Sequence, residues 1–275
     1  MQLSEEAETN QKIYLTMISK QAYIDPTARL GKNVEVMPFA FIDKNVEIGD
    51  DCIIMPYAGI LEGTTIGKGN RIHGHALLGV EPQDFRYKGE PSHLIVGDNN
   101  DIRENVVIAR GTHSEGATKI GNGNHIMEKV HICHDAEIHD NVVLGIASII
   151  AGSTVIESEA ILSNLVIVQE GNRIGRLSLI QSGCRIQKDV PPYIITSGNP
   201  VVYHGINAKI LANYKNVSER ILRHIANAYR LVFNGDTSLE DAVMKIKEQI
   251  PQSGEIANIV KFIESSKHGI IQTEY

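Results

Sequence analysis

Cysteine is scarce in this chain: Cys52, Cys133 and Cys184 are an odd, scattered set without a Cys-x-x-Cys pair. Neither a disulfide framework nor a structural zinc site is indicated. No stretch approaches the roughly 20 apolar residues that span a bilayer. Basic residues are not in excess either, since the formal net charge is -7, so there is no electrostatic footprint for nucleic acid or an anionic membrane. The first sixteen residues, Met1 to Thr16, are acidic and polar and lack the apolar centre of a secretion signal. They read as an N-terminal extension lying outside the fold, poorly ordered or helical. These absences lead us to expect a soluble, cytoplasmic protein.

What is present is a period. Isoleucine, leucine or valine stands at every sixth residue from Ile18 to Ile186, and only Asp84, Glu90 and Ser114 are out of step. Helices repeat near 3.6 and ordinary strands at 2, so neither explains a period of six. Hexapeptide periodicity predicts a parallel β-helix in which three short strands and three corners close one triangular coil. The residue after the aliphatic is often glycine (Gly31, Gly49, Gly67, Gly97, Gly121, Gly175), expected here to relieve corner dihedrals. The fifth place is small or β-branched (Ala28, Val34, Ala40, Val46, Ala58, Thr64), as a narrow interior requires.

The interruptions are informative too. Residues 80 to 92 are polar and bracketed by proline, and should leave the prism as an external loop, with a shorter excursion from His113 to Ala117. Loops carried on a rigid solenoid are where binding groups concentrate. The hexads stop at Asp189-Val190-Pro191-Pro192. Beyond them, residues 218 to 233 have helical spacing with Ser218 as N-cap, Thr237 to Glu240 has the form of a capping box, and Ile256, Ile259, Val260 and Ile263 form a third stripe. The organisation expected is an extension over 1–16, a β-helix over 17–192 and a small α-helical C-terminal domain over 193–275.

The densest titratable group is His131-Ile132-Cys133-His134-Asp135, and Gly152 lies 18 residues, one coil, beyond His134. The two should stack about 4.8 Å apart. A histidine can accept a hydroxyl proton near neutral pH, and a glycine N–H at close approach can stabilise an oxyanion. That pair is a minimal acyl-transfer site. Spacing alone leaves open that His134 is one surface histidine among eleven. His134 and His139, five apart, suit two ligands of an interface metal, but two coils earlier the column holds Asp98 rather than a third histidine, so a zinc site needs an unusual ligand set. Gly67-Lys68-Gly69 and Gly121-Asn122-Gly123 fall on corners without a following helix and read as structural.

The motifs Gln83-Asp84-Phe85-Arg86-Tyr87 with Gly89-Glu90-Pro91, Ile102-Arg103-Glu104-Asn105-Val106, Arg110-Gly111-Thr112, the His131–Asp135 run, Ala151-Gly152 and Asp189-Val190-Pro191-Pro192-Tyr193 resemble those of the UDP-N-acetylglucosamine O-acyltransferases that begin lipid A synthesis. The resemblance runs from Met17 to the C-terminus. It implies a left-handed β-helix and a homotrimer with active sites between prisms. It also implies transfer of a 3-hydroxyacyl or related chain from acyl carrier protein to the 3-hydroxyl of UDP-N-acetylglucosamine, without a metal or other cofactor. His134 matches the family's base and Gly152 its oxyanion glycine. Asp84, Arg86 and His131 match residues that hold the sugar and the donor, with Gln169 and Asn207 as further substrate contacts.

The chain also departs from the pattern. Arg86 stands where lysine is usual, Ser153 and Gln169 replace histidines, and Val168-Gln169-Glu170-Gly171 replaces Val-His-Gln-Phe. The arginine that grips the nucleotide phosphates is Tyr214 here, and a uridine-side glutamate is Lys209. Lys209 or Lys215 is available to replace the lost cation. Ser182, where several members have glycine, predicts a different and shorter acyl chain. The alternatives are a paralogous acyltransferase with another amino sugar or sugar-nucleotide acceptor, or a protein that is no acyltransferase, either a β-helix lyase or a silent scaffold.

Overall fold

In the computed structural model, which describes residues 17–214, 217–233 and 237–272, the period becomes a left-handed parallel β-helix. Two-residue strands pair in parallel with the strand one coil on, as His131 does with Ile149 and Ile132 with Ile150. The result is three sheets that form the faces of a prism. Face I starts at Tyr23–Ile24, face II at Arg29–Leu30 and face III at Glu35–Val36. The aliphatics point inward and are fully buried, among them Ile108, Ile132, Ile150 and Val168. Small fifth-place residues such as Ala136 and Thr154 fill the corners of the interior.

The hexad glycines act differently from the expectation. Gly31, Gly49, Gly67, Gly97, Gly121 and Gly175 have no left-handed backbone; instead a Cβ on Gly31 would lie 2.6 Å from the Asp50 nitrogen, and one on Gly97 2.7 Å from the Gly121 oxygen. Glycine is there because stacked corners touch. The left-handed dihedrals fall two residues later, at Asn33, Asp51, Gly69, Asn99, Gly123 and Leu177, and Gly, Asn and Asp adopt that region more readily than other residues.

Two predicted edges move. The short excursion ends before Ala117, which already opens the strand Ala117–Ile120. The prism outlasts its hexads: Val190 still bridges Ile174, and Ile194–Ser197 pairs in parallel with Leu179–Ile180 on face III before an antiparallel partner, Val202–Ile206, ends the sheet. The prolines at 191 and 192 therefore bend the chain without ending the coil.

Among the described residues four helices follow: α1 (Ala208–Leu211), α2 (Glu219–Phe233), α3 (Leu239–Gln249) and α4 (Gly254–Glu264). The N-cap of α3 is Ser238, whose hydroxyl accepts from the Asp241 N–H, rather than Thr237. The helices are fixed to the last coils by named contacts. The buried Tyr229 hydroxyl donates to the Pro192 carbonyl at 2.5 Å, and the Arg173 guanidinium lies 3.9 Å from the Phe262 ring centroid. The loop expected over residues 80 to 92 leaves the prism as residues 81–92, between Leu77–Val80 and His93–Val96, since Val80 still belongs to its strand. It is tied back where Arg110 donates to the Tyr87 hydroxyl at 2.8 Å and Glu115 N–H to the Pro91 carbonyl at 3.0 Å. The predicted extension over residues 1–16 lies outside the described residues.

Candidate active site

His134 sits on the corner between faces I and II, two residues past the inward Ile132. The left-handed turn at Asp135 (φ 57°) follows it directly, and its side chain is only 8% exposed. Nδ1 of His134 donates to Asp135 Oδ2 at 3.0 Å. Asp135 is itself fixed, accepting from the Thr112 hydroxyl at 2.7 Å and the Thr112 N–H at 3.1 Å. Burial pushes the Asp135 carboxyl up, but the hydrogen bonds from Thr112 and His134 outweigh it and hold the group below the usual carboxylate range. A carboxylate that holds Nδ1–H sets the tautomer and turns Nε2 outward as the exchangeable nitrogen.

Gly152 is stacked beneath. A Cβ there would stand 2.7 Å from His134 Nε2 and 2.9 Å from Nδ1, and the backbone is not left-handed, so glycine is required by the imidazole above it. At the same place in other hexads the corner N–H is capped by a side-chain oxygen: Asn122 N–H by Asp140 at 2.7 Å, Ile146 N–H by Asn164 at 3.0 Å, Lys32 N–H by Asp50 at 2.8 Å. The Gly152 N–H has no such cap among the described residues. An uncapped donor beside an oriented imidazole is the arrangement that receives a developing oxyanion.

Asp84 comes from the external loop. Its Oδ2 lies 3.2 Å from His134 Nε2, and Arg86 holds the carboxylate through Nε at 2.9 Å and Nη2 at 2.6 Å. Those hydrogen bonds keep Asp84 well below the usual carboxylate range and raise the Arg86 guanidinium. Arg86 Nη2 also reaches Glu170 at 3.1 Å. Cys133, next to His134, has its thiol pushed up by burial and by the Glu170 carboxylate, which disfavours the nucleophilic thiolate.

Of the residues singled out from sequence, His134, Gly152, Asp84 and Arg86 are brought together here. His131 is on the same coil, half-buried on face I, where burial pushes its imidazole down. Gln169 precedes Glu170 on the same corner, and its carbonyl accepts from Thr154 and Asn172. Two others are not brought in within one protomer. Asn207 is buried at the start of α1, and its side chain donates to the Leu177 carbonyl at 3.0 Å, so its amide is spent on the fold. Ser182 follows Ile180 onto the corner between faces III and I, at the far edge of face I from His134. His139 is on yet another corner, after Ile138 of face II, so the two histidines five apart do not converge. Among the described residues no three His, Cys, Asp or Glu side chains gather to hold a metal ion. Tyr214 lies against Glu159 and Arg176, its phenol pushed up by burial and by Glu159. Lys215 lies outside the described residues.

Comparison with known proteins decides the family. Residues 189–271 match the model for domain 2 of UDP-N-acetylglucosamine O-acyltransferase, and residues 45–79 match the bacterial transferase hexapeptide repeat. The chain is 42% identical to the acyl-[acyl-carrier-protein]–UDP-N-acetylglucosamine O-acyltransferase of Halorhodospira halophila over 94% of its own length and 100% of that protein. It belongs to this family. The crystal structure of a UDP-N-acetylglucosamine acyltransferase from Bacteroides fragilis superposes with a TM-score of 0.91 at 46% identity, covering 93% of this chain and 100% of that one. The enzyme from Francisella novicida gives 0.89 at 32%, covering 93% and 94%. Within the family motifs, Asp135 as the orienting carboxylate and Glu170 as a partner of Arg86 escaped the reading of the sequence. The adjacency of Asp135 to His134 was the one available signal.

Proposed function

We propose that this protein is the acyltransferase that moves a 3-hydroxyacyl chain from acyl carrier protein to the 3-hydroxyl of UDP-N-acetylglucosamine, the first step of lipid A biosynthesis. The observation that carries this is the stacked pair: an Asp135-oriented His134 directly over a Gly152 whose N–H is uncapped. The sugar hydroxyl donates to Nε2 while Asp84, held beside that nitrogen by Arg86, contacts the sugar, and Nε2 takes the hydroxyl proton as the oxygen attacks the thioester carbonyl. The carbonyl oxygen gathers charge against the Gly152 N–H. Collapse of the tetrahedral intermediate expels the phosphopantetheine thiolate, and His134 returns the proton to that sulfur. No acyl-enzyme is required, consistent with the raised Cys133 thiol.

Asp84, Arg86, His131 and Gln169 contact the sugar and the donor, and the working form is a cytoplasmic homotrimer. What supports the trimer is the apolar surface left open on face I. Phe41, Leu77, Ile149 and Ile167 are exposed by 36% to 41%, and Phe39, Tyr57 and His75 stack along its edge. Single exposed apolar side chains are ordinary, but a continuous patch marks an interaction surface. Ser182 joins the site along face I or from a neighbouring protomer.

Ser182 is expected to limit the acyl chain. The Ser182→Gly variant should shift donor preference toward longer acyl chains; an unchanged preference across a donor series contradicts the assignment. The acceptor is tested by calorimetry of UDP-N-acetylglucosamine with the purified trimer. Saturable binding in the micromolar-to-millimolar range is expected despite Tyr214 and Lys209. A folded trimer that takes up none at millimolar ligand would contradict this acceptor and favour another sugar nucleotide.

A further inference from the structure

Arg86 and Glu170, 84 residues apart in the chain, are in contact. The single nitrogen Nη2 of Arg86 serves Asp84 Oδ2 at 2.6 Å and Glu170 Oε1 at 3.1 Å. Glu170 lies one coil below Gly152, since the Ala151 N–H donates to the Val168 carbonyl and the Gly171 N–H to the Gly152 carbonyl. Asp84 and Arg86 belong to the loop that covers His134 from outside. The Arg86–Glu170 contact therefore crosses the corner that carries the uncapped Gly152 N–H, and it completes an unbroken series: Asp135, His134, Asp84, Arg86, Glu170. A guanidinium presents several donors in a fixed fork and can hold two carboxylates at once; an ammonium facing a neutral amide does this poorly.

We propose that Glu170 is a positioning residue. Through Arg86 it holds Asp84 at His134 and lays the 81–92 loop across the oxyanion corner, so that Arg86 and Glu170 act as a matched pair. This rests on the acyl-transfer reading above. Without Glu170 the loop keeps its tie to the prism at Tyr87–Arg110 but loses its anchor below Gly152, so the tip carrying Asp84 and Arg86 is free to swing. Small misplacements of groups that grip the acceptor weaken its productive binding and so lower kcat/KM. The Arg86 and Glu170 side chains are 63% and 57% exposed, and an exposed pair adds little to stability, so the effect belongs to catalysis rather than folding.

The test is a double-mutant cycle on Arg86→Lys, Glu170→Gln and the two combined, read as kcat/KM for UDP-N-acetylglucosamine. Glu170→Gln should lower it about tenfold, mainly through KM, with an unchanged melting temperature, and the double variant should lose no more than the worse single, a coupling of about fivefold. Losses that simply multiply, or a parental Glu170→Gln, overturn the pairing. Hydrogen exchange of Asp84 to Lys88 provides a readout independent of turnover. Faster exchange in Glu170→Gln supports the anchor, and unchanged exchange overturns it. A parent protein that transfers no acyl group contradicts the acyl-transfer reading instead, and the exchange result then decides the anchor alone.

Discussion

Replacing His134 by alanine should lower kcat by about 10² to 10⁴ while UDP-N-acetylglucosamine still binds, and Cys133→Ala should stay close to the parent. The reasoning runs from the corner geometry. Nδ1 is committed to Asp135, which Thr112 holds in place through two bonds, so Nε2 is the imidazole atom left to take a proton from the acceptor. Asp84 is the other carboxylate near that nitrogen, and its engagement by Arg86 keeps it ionised and weakly basic. It cannot substitute for the imidazole as base. Cys133 is adjacent in sequence, but burial raises its thiol. Steady-state kinetics of both variants decide the matter: an inactive Cys133→Ala beside an active His134→Ala would require a covalent mechanism and overturn the assignment.

Gly152→Ala should be nearly as damaging, by about 10² to 10³ in kcat. The added methyl would lie 2.7 Å from Nε2 of His134, so the ring must swing away from Asp135 and from the sugar. The methyl also stands beside the N–H that receives the oxyanion. Because Gly152 does not use left-handed dihedrals, alanine suits its backbone, and the coil itself should survive. Thermal unfolding close to the parent, together with the loss of turnover, is the expected pair of results. An active Gly152→Ala would mean that the stacked glycine is not the oxyanion donor.

Much of this was legible in the sequence because a β-helix is a fold in which residue number converts directly into position. One coil is 18 residues, so the stacking of His134 on Gly152 followed from subtraction, and the same arithmetic, carried through, puts Ser182 and His139 on other corners. Legibility failed where the register breaks. Arg86 meets Glu170 across 84 residues because the external loop has no period, and Thr112 meets Asp135 at a separation of 23 because the short excursion lengthens that coil. Asn207 looked like a ligand group from its motif alone; only packing shows its amide tied to Leu177. The hexad glycines were correctly located but for the wrong reason, since contact between stacked corners, invisible in one repeat, is what excludes a Cβ. At α3 the cap moved by one residue, from Thr237 to Ser238, a difference that two adjacent hydroxyl residues do not resolve by pattern.

The most direct test of the central claim is to incubate the purified protein with 3-hydroxyacyl-[acyl carrier protein] and UDP-N-acetylglucosamine and to map the product by mass spectrometry and NMR. The expected product carries one acyl chain in ester linkage on the sugar 3-oxygen, formed by the parent and not by His134→Ala. A folded parent that leaves the sugar nucleotide unacylated, or that forms the ester equally well without His134, would contradict the account.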